Sequence, residues 1–114
     1  MARAKAQQKN VSVDFQLADV TKLDFLSDPF DLILDVGCLH GLNKSGREDY
    51  ARHAARLSRS DSTLMIWAFD GKTMGVGTLP GELSRLFEQY FTLERMGHGS
   101  FHDRPSAWYW FIRK

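Results

Sequence analysis

The sequence predicts an α/β fold whose sheet is mixed, mostly parallel, of about five strands, and ends in an antiparallel hairpin. Three observations predict it. Unbroken apolar runs occur at Leu32-Ile33-Leu34 and over residues 63–69, and short runs of this kind read as strands buried on both faces. Stretches with helical spacing separate them, and strands alternating with helices imply parallel neighbours covered by helices. Finally, residues 91–96 and 107–112 both read as strands, and the loop between them has no room for a crossover helix, so that pair is antiparallel.

The elements follow in order. Residues 2–9 are rich in Ala, Gln and Lys and predict a short helix without an apolar stripe. In residues 11–20, Val11, Val13, Phe15 and Leu17 alternate with Ser12, Asp14 and Gln16. Period two predicts a strand with one buried face, ending at Asp19. A mixed connection holding Leu23, Phe25 and Leu26 leads to the turn Ser27-Asp28-Pro29. The strand 31–35 follows. Ser45 with Glu48 fits a capping box, and Tyr50, Ala54 and Leu57 share one face of a helix over about 46–59. A turn at 59–62 precedes the strand 63–69, which Asp70-Gly71 ends. Residues 72–78, with Gly75 and Gly77, read as a flexible loop, and Thr78 as the cap of a helix carrying Leu83, Leu86, Phe87 and Tyr90. Residues 97–105 form the loop of the closing hairpin.

Length and composition bound the function. At 114 residues, one domain spanning 1–114 is expected. Fifteen Lys and Arg against fourteen Asp and Glu leave a net charge of +1, which gives no reason to expect a nucleic-acid or membrane partner. One cysteine, Cys38, excludes a disulfide within the chain and offers no zinc-finger spacing, so a reducing, cytoplasmic setting is the default and no metal is expected. No apolar stretch has the length of a signal core or a membrane span.

The chemistry-bearing residues cluster where the strand 31–35 ends. Asp35, Gly37, Cys38, His40 and Gly41 follow its apolar run, and in open α/β sheets ligands bind at the carboxyl ends of the strands. An ordinary polar turn after a buried strand would look the same. His98, His102 and Asp103 share one loop, too small a set for a metal site. Trp108, Tyr109, Trp110 and Phe111 could stack bases, but the acid–base balance lacks the basic funnel that such a role needs.

The stretches 13–19 (VDFQLAD), 30–35 (FDLILD) with Gly37-Cys38-Leu39-His40, Tyr50, residues 64–69 and the closing 107–110 (AWYW) together resemble the C-terminal two-thirds of a class I S-adenosylmethionine-dependent methyltransferase. The likeness is nearest to the thiopurine methyltransferase-like branch. It implies a truncated Rossmann-like methyltransferase fold, S-adenosylmethionine as cofactor and a small-molecule methyl acceptor. It also implies roles. Asp19 would accept from the adenine amine and Val20 would pack on the adenine ring. Asp35, Gly37 and Cys38 would line the cofactor side of the cleft, with Asp35 and His40 near the methyl group and its acceptor. Methyl transfer is an in-line displacement, so alignment carries much of the rate. His40 could serve as base where the acceptor must lose a proton.

Only ten residues precede Val11, so the family's first cofactor motif, an acidic glycine-rich turn, and its ribose-binding acid have no counterpart in that register. Residues 35–41 offer a second register, in which Asp35, Gly37 and Gly41 are that motif and Asp70 is the second acid. Leu39 then stands where the middle glycine should be. Two functions stay open: a methyltransferase, inactive as an isolated chain, or a non-catalytic remnant of the fold acting as a structural or interaction module. In the first register the strand 31–35 is left with a bare edge, and exposed edges recruit other strands. A homodimer built along that edge is expected.

Overall fold

The computed structural model describes residues 2–114. Strand β1 (Phe30–Val36) pairs in parallel with β2 (Ser58–Phe69), and the crossover between them is helix α2 (Lys44–Arg56). Asn43, not Ser45, caps α2: its side chain accepts from the Gly46 amide at 2.7 Å. The turn at 59–62 survives as a bulge inside β2, where Asp61 has φ 72° and the register shifts between Phe30 and Leu32. After β2 comes a small hairpin of β3 (Gly71–Thr73) and β4 (Val76–Thr78), in place of a flexible loop. Helix α3 (Glu82–Phe87) follows, with Gly81 rather than Thr78 at its N-cap.

The hairpin of β5 (Phe91–Phe101) and β6 (Arg104–Arg113) is longer than its sequence pattern predicts. Phe101 pairs with Arg104, so only His102 and Asp103 form the turn, at φ 50° and 61°. Two left-handed residues give the backbone twist that matches paired strands. The sheet order is β1-β2-β6-β5, with one parallel and two antiparallel pairings. The fold is α/β with a mixed sheet ending in an antiparallel hairpin, as the sequence predicts.

Two expectations are corrected. Residues 11–19 form no strand, and without their pairing the sheet is not mostly parallel. Val11, Val13 and Leu17 are 55%, 51% and 105% exposed. Alternation fixes which side chains share a face but supplies no neighbouring strand. Here residues 11–19 form an arm without regular secondary structure after helix α1 (Ala2–Gln8), which itself buries no residue. Arg56 fastens the connection beyond the arm by donating to the carbonyls of Leu23 and Leu26.

The second correction concerns the strands expected to be buried on both faces. They are buried on one. Leu64 and Ile66 of β2 and Tyr109 and Phe111 of β6 join Tyr50, Ala54, Leu83 and Phe87 in the core under α2 and α3. Phe87 sits 4.9 Å from Phe111 and 6.2 Å from Tyr50, ring centre to centre. The alternate residues, including Leu32, Leu34 and Val36, face the other way and stay out of this core.

Candidate functional site

The carboxyl end of β1 is built around Asp35. Alternation along β1 turns Asp35 toward α2, where it is 5% exposed. Its Oδ1 accepts from the Cys38 amide at 2.7 Å. Its Oδ2 accepts from the Leu39 amide at 3.0 Å and from the Tyr50 hydroxyl at 2.8 Å. The carboxylate thus closes the single 3₁₀ turn Leu39–Gly41 and ties it to α2. Burial, then the charge of Asp35, pushes the Tyr50 hydroxyl well above its usual pKa, so it stays a proton donor. Asp35 is a positioning group here, with its lone pairs committed inside the protein.

His40 is equally committed. It is 7% exposed, and its Nδ1 accepts from the Phe69 amide at 3.0 Å. An imidazole accepting through Nδ1 carries its proton on Nε2, so neither nitrogen offers a lone pair to a substrate. The ring stacks on Phe69, centroids 5.3 Å apart, and meets the edge of Trp67. Burial chiefly, aided by Arg104 and Arg47 and opposed by Asp35, holds its pKa below the usual histidine value. With Nδ1 engaged, the general-base role expected of His40 would require the bond from the Phe69 amide to open. Gly37 makes room for it: at φ +84°, a Cβ on Gly37 would lie 3.2 Å from His40 Nε2.

Cys38 is exposed. Partial burial, then the charges of Asp35 and Asp19, raises its thiol pKa, so it is protonated near neutrality and poorly nucleophilic. The Asp19 charge reaches Cys38 because the arm ends beside this rim. Asp19 itself is exposed. The Thr21 amide, at 2.9 Å, and hydroxyl, at 2.7 Å, both donate to its Oδ1, which lowers its pKa and keeps it ionised. Next to it, Val20 and Cys38 line an apolar cavity of about 280 Å³ that runs along β1 past Ile33 and Tyr50. The structure therefore brings Asp19, Val20, Gly37 and Cys38 to one rim, with Asp35 and His40 behind it as framework.

Two groups escaped the sequence reading. Arg47, 3% exposed, donates to the carbonyls of Leu42, His40 and Gly77 and pairs with Glu82. Burial alone would raise the Glu82 pKa, but the Leu79 amide and Arg47 outweigh it and hold the carboxyl low. Arg47 stands at the back of a wider cleft of about 900 Å³ between α2, the β3–β4 hairpin and α3. No periodicity signals a buried arginine whose partner lies 35 positions away. Tyr50 was legible as part of a helix face, but its bond to Asp35 was not. No group of three or more His, Cys, Asp or Glu placed to hold a metal occurs among the described residues. Among them, too, no helix is long and apolar enough to cross a membrane.

A sequence model described as a methyltransferase domain matches residues 1–61, more than half of the chain. The chain belongs to the methyltransferase domain family. An uncharacterized methyltransferase of Schizosaccharomyces pombe, C750.03c, is 29% identical over 65 residues, which are 57% of this chain and 45% of that protein. This methyltransferase domain chain thus spans about half the length of the curated relatives it matches.

Its fold is shared with solved methyltransferases. The N-methyltransferase NodS of Bradyrhizobium japonicum, solved with S-adenosyl-L-homocysteine, superposes with a TM-score of 0.80 at 14% identity, covering 98% of this chain and 60% of NodS. The 1,6-didemethyltoxoflavin-N1-methyltransferase of Burkholderia thailandensis, solved with 1,6-didemethyltoxoflavin and S-adenosylhomocysteine, gives 0.80 at 21% identity, over 98% and 56% of the two chains. At these identities the likeness establishes the fold, a truncated Rossmann-like methyltransferase fold.

Proposed function

We propose that this chain supplies the adenine side of an S-adenosylmethionine site in a class I methyltransferase acting on a small-molecule acceptor, with its nearest likeness in the thiopurine methyltransferase-like branch. The observation that carries the reading is the rim at the end of β1. An ionised, exposed Asp19 directly precedes apolar Val20, which lines a cavity along β1 with Cys38. A carboxylate to accept from an exocyclic amine and an aliphatic side chain to cover a ring fit adenine. When bound, the cofactor supplies the electrophilic methyl group. Within this chain Asp19 and Val20 hold the adenine, Gly37 and Cys38 form the floor beside it, and Asp35 fixes the floor's shape.

The alternative register fits poorly. A cofactor turn needs free backbone amides aimed at the ligand, whereas Asp35 takes up those of Cys38 and Leu39. Leu39 is fully buried in the core. Contacts to the ribose and methionine would then come from residues outside this chain, and the chain alone would bind weakly. Buried polar ligand groups left unpaired cost roughly 1–3 kcal/mol each, enough to take a micromolar site to millimolar.

Calorimetric and NMR titration with adenosine and with S-adenosylmethionine tests this. The expected result is millimolar binding of both, with shifts confined to the Asp19 rim. Asp19→Ala weakens it about tenfold or more, the loss expected for a hydrogen bond to a charged acceptor, without loss of fold. Unchanged adenosine binding in Asp19→Ala removes the adenine role, and micromolar S-adenosylmethionine affinity revives residues 35–41 as the cofactor turn. One observation favours the second reading, a non-catalytic module. His40 and Asp35 both spend their hydrogen-bonding capacity on the framework, so neither residue expected beside the methyl group is left as a free acid or base. Absence of any adenosine binding would decide for that reading.

A further inference from the structure

The cleft of about 900 Å³ in front of Arg47 shares no residue with the cavity that Val20 and Cys38 line. Its walls are the first turn of α2, the β3–β4 hairpin and α3, so its lining comes from residues 41–86 of this chain. Clefts of roughly 300–1,000 Å³ that combine apolar walls with a few convergent polar groups are the usual seats of small ligands. Here Leu42, Val76 and Leu86 are half-buried and form apolar walls, which Leu79 extends toward solvent. Four cations, Lys44, Arg47, Lys72 and Arg85, stand against two acids, Glu48 and Glu82. The cleft is thus more positive than the chain as a whole, whose net charge is only +1.

Internal pairing leaves that excess in place. Glu82 neutralises Arg47, and Lys72 only approaches the same carboxylate, 3.8 Å from Oε1. Lys44 and Arg85 form no ion pair among the described residues, and Glu48 is the one unpaired acid beside them. Arg47 also has a donor to spare. Of the five N–H groups of a guanidinium, the Leu42, His40 and Gly77 carbonyls take three and Glu82 takes one. The other N–H, on Nη1, has no partner among the described residues, on a side chain that is 3% exposed and lines the cleft. Asn43 and Lys44 bring the start of α2 into the lining, and a helix N-terminus adds partial positive charge. We propose that this cleft binds a small amphipathic organic anion, with an apolar body and one carboxylate or phosphate group. The apolar walls take the body. Lys44, Lys72 and Arg85 reach the charged group on their flexible stems, and the walls of a cleft focus the field of like charges on an anion. The inference goes beyond the adenine reading and does not need it. Lys44, Lys72 and Arg85 line neither the cavity of Val20 and Cys38 nor the polar pocket that Asp19 lines.

NMR titration of the full chain with hexanoate, hexyl phosphate, hexanol and hexylamine tests this. The expected result is that an anion binds, with amide shifts gathered on residues 41–48, 72–76 and 82–86, and that hexanol and hexylamine bind about fivefold more weakly or worse. The tighter of the two anions names the group the natural ligand carries. Raising salt from about 20 to about 200 mM should weaken the anion and spare hexanol, since exposed charges are screened. Lys44→Glu and Arg85→Glu alter exposed positions and should each weaken the anion about fivefold while circular dichroism stays unchanged. Lys9→Glu changes the net charge equally, away from the cleft, and should leave the affinity within about twofold. Adenosine titrated into the same variants should bind as it does to the unaltered chain, so a failed adenine site and a failed anion site show separately. The proposal is overturned if none of the four probes binds, or if hexanol or hexylamine binds as tightly as the anions. Shifts gathered outside the cleft overturn it too, as does an affinity that both charge reversals leave unchanged.

Discussion

Replacing Asp35 by alanine measures how far the rim depends on one carboxylate. Three donors lose their acceptor: the amides of Cys38 and Leu39 and the Tyr50 hydroxyl, at 2.7, 3.0 and 2.8 Å. Cys38 is exposed, so its amide can turn to water. Leu39 and Tyr50 are 0% and 7% exposed, and their donors cannot. Hydrogen bonds to a charged acceptor contribute about 1.5–3 kcal/mol each, and stranded buried donors add a desolvation cost. Removing the buried charge itself returns part of the loss, which leaves about 3–5 kcal/mol for Asp35→Ala. Tyr50→Phe removes one bond and leaves the carboxylate both amides, so about 1–2 kcal/mol is expected. Urea unfolding at one fixed protein concentration, followed by circular dichroism, separates the two. By temperature, Asp35→Ala should lower Tm by roughly 15–25 °C in a domain of this size. A loss below about 1 kcal/mol, or equal losses in the two variants, would refute the framework role and return Asp35 to the chemistry.

His40 should make stability fall in mild acid. Its folded-state pKa is depressed, chiefly by burial, so its contribution is full above the unfolded value of about 6.5 and is lost as pH falls through the folded value. Tm followed from neutral pH downward should decline, and His40→Gln should flatten the decline; an unaltered slope would assign it to other groups. Glu82→Gln leaves the buried Arg47 guanidinium without its carboxylate and should destabilise by about 1–3 kcal/mol, read by urea unfolding. The folded Glu82 pKa is also low, so the wild-type advantage should vanish as pH drops through it. Gly77→Ala puts a Cβ 1.9 Å from the Gly71 carbonyl oxygen at φ +122°. Amide exchange should show the β3–β4 hairpin losing protection while β2 and β6 keep theirs.

What the sequence reveals is local. The apolar runs of β1 and β2, the face of α2 carrying Tyr50 and Ala54, and the antiparallel closure of β5 on β6 follow from periodicity and loop length. Val11, Val13 and Leu17 alternate as a strand should, yet pairing needs a neighbour, and no local pattern reports whether one exists. The ends of β5 and β6 hide behind Gly97, Gly99 and Pro105, which read as loop residues until His102 and Asp103 are seen to make the whole turn. The rim was legible as a place but not as a set of roles. Asp35 and His40 stood out by type and position. What they do is decided by Tyr50, 15 positions on, and by the Phe69 amide, 29 positions on, which only the folded chain brings near.

The strand order carries a consequence for how the chain is made. β6, made after both of its partners, lies between β2 and β5. Until its ten residues emerge, β5 has no partner and β2 has only β1. A nascent chain stopped anywhere before Arg104 would hold β1, α2 and β2 as a crossover unit with one unpaired edge on each side. Synthesis proceeds at about 5–20 residues per second. In the interval the apolar strand 63–69 is held on one side only, which leaves it exposed to aggregation or to capture by a chaperone.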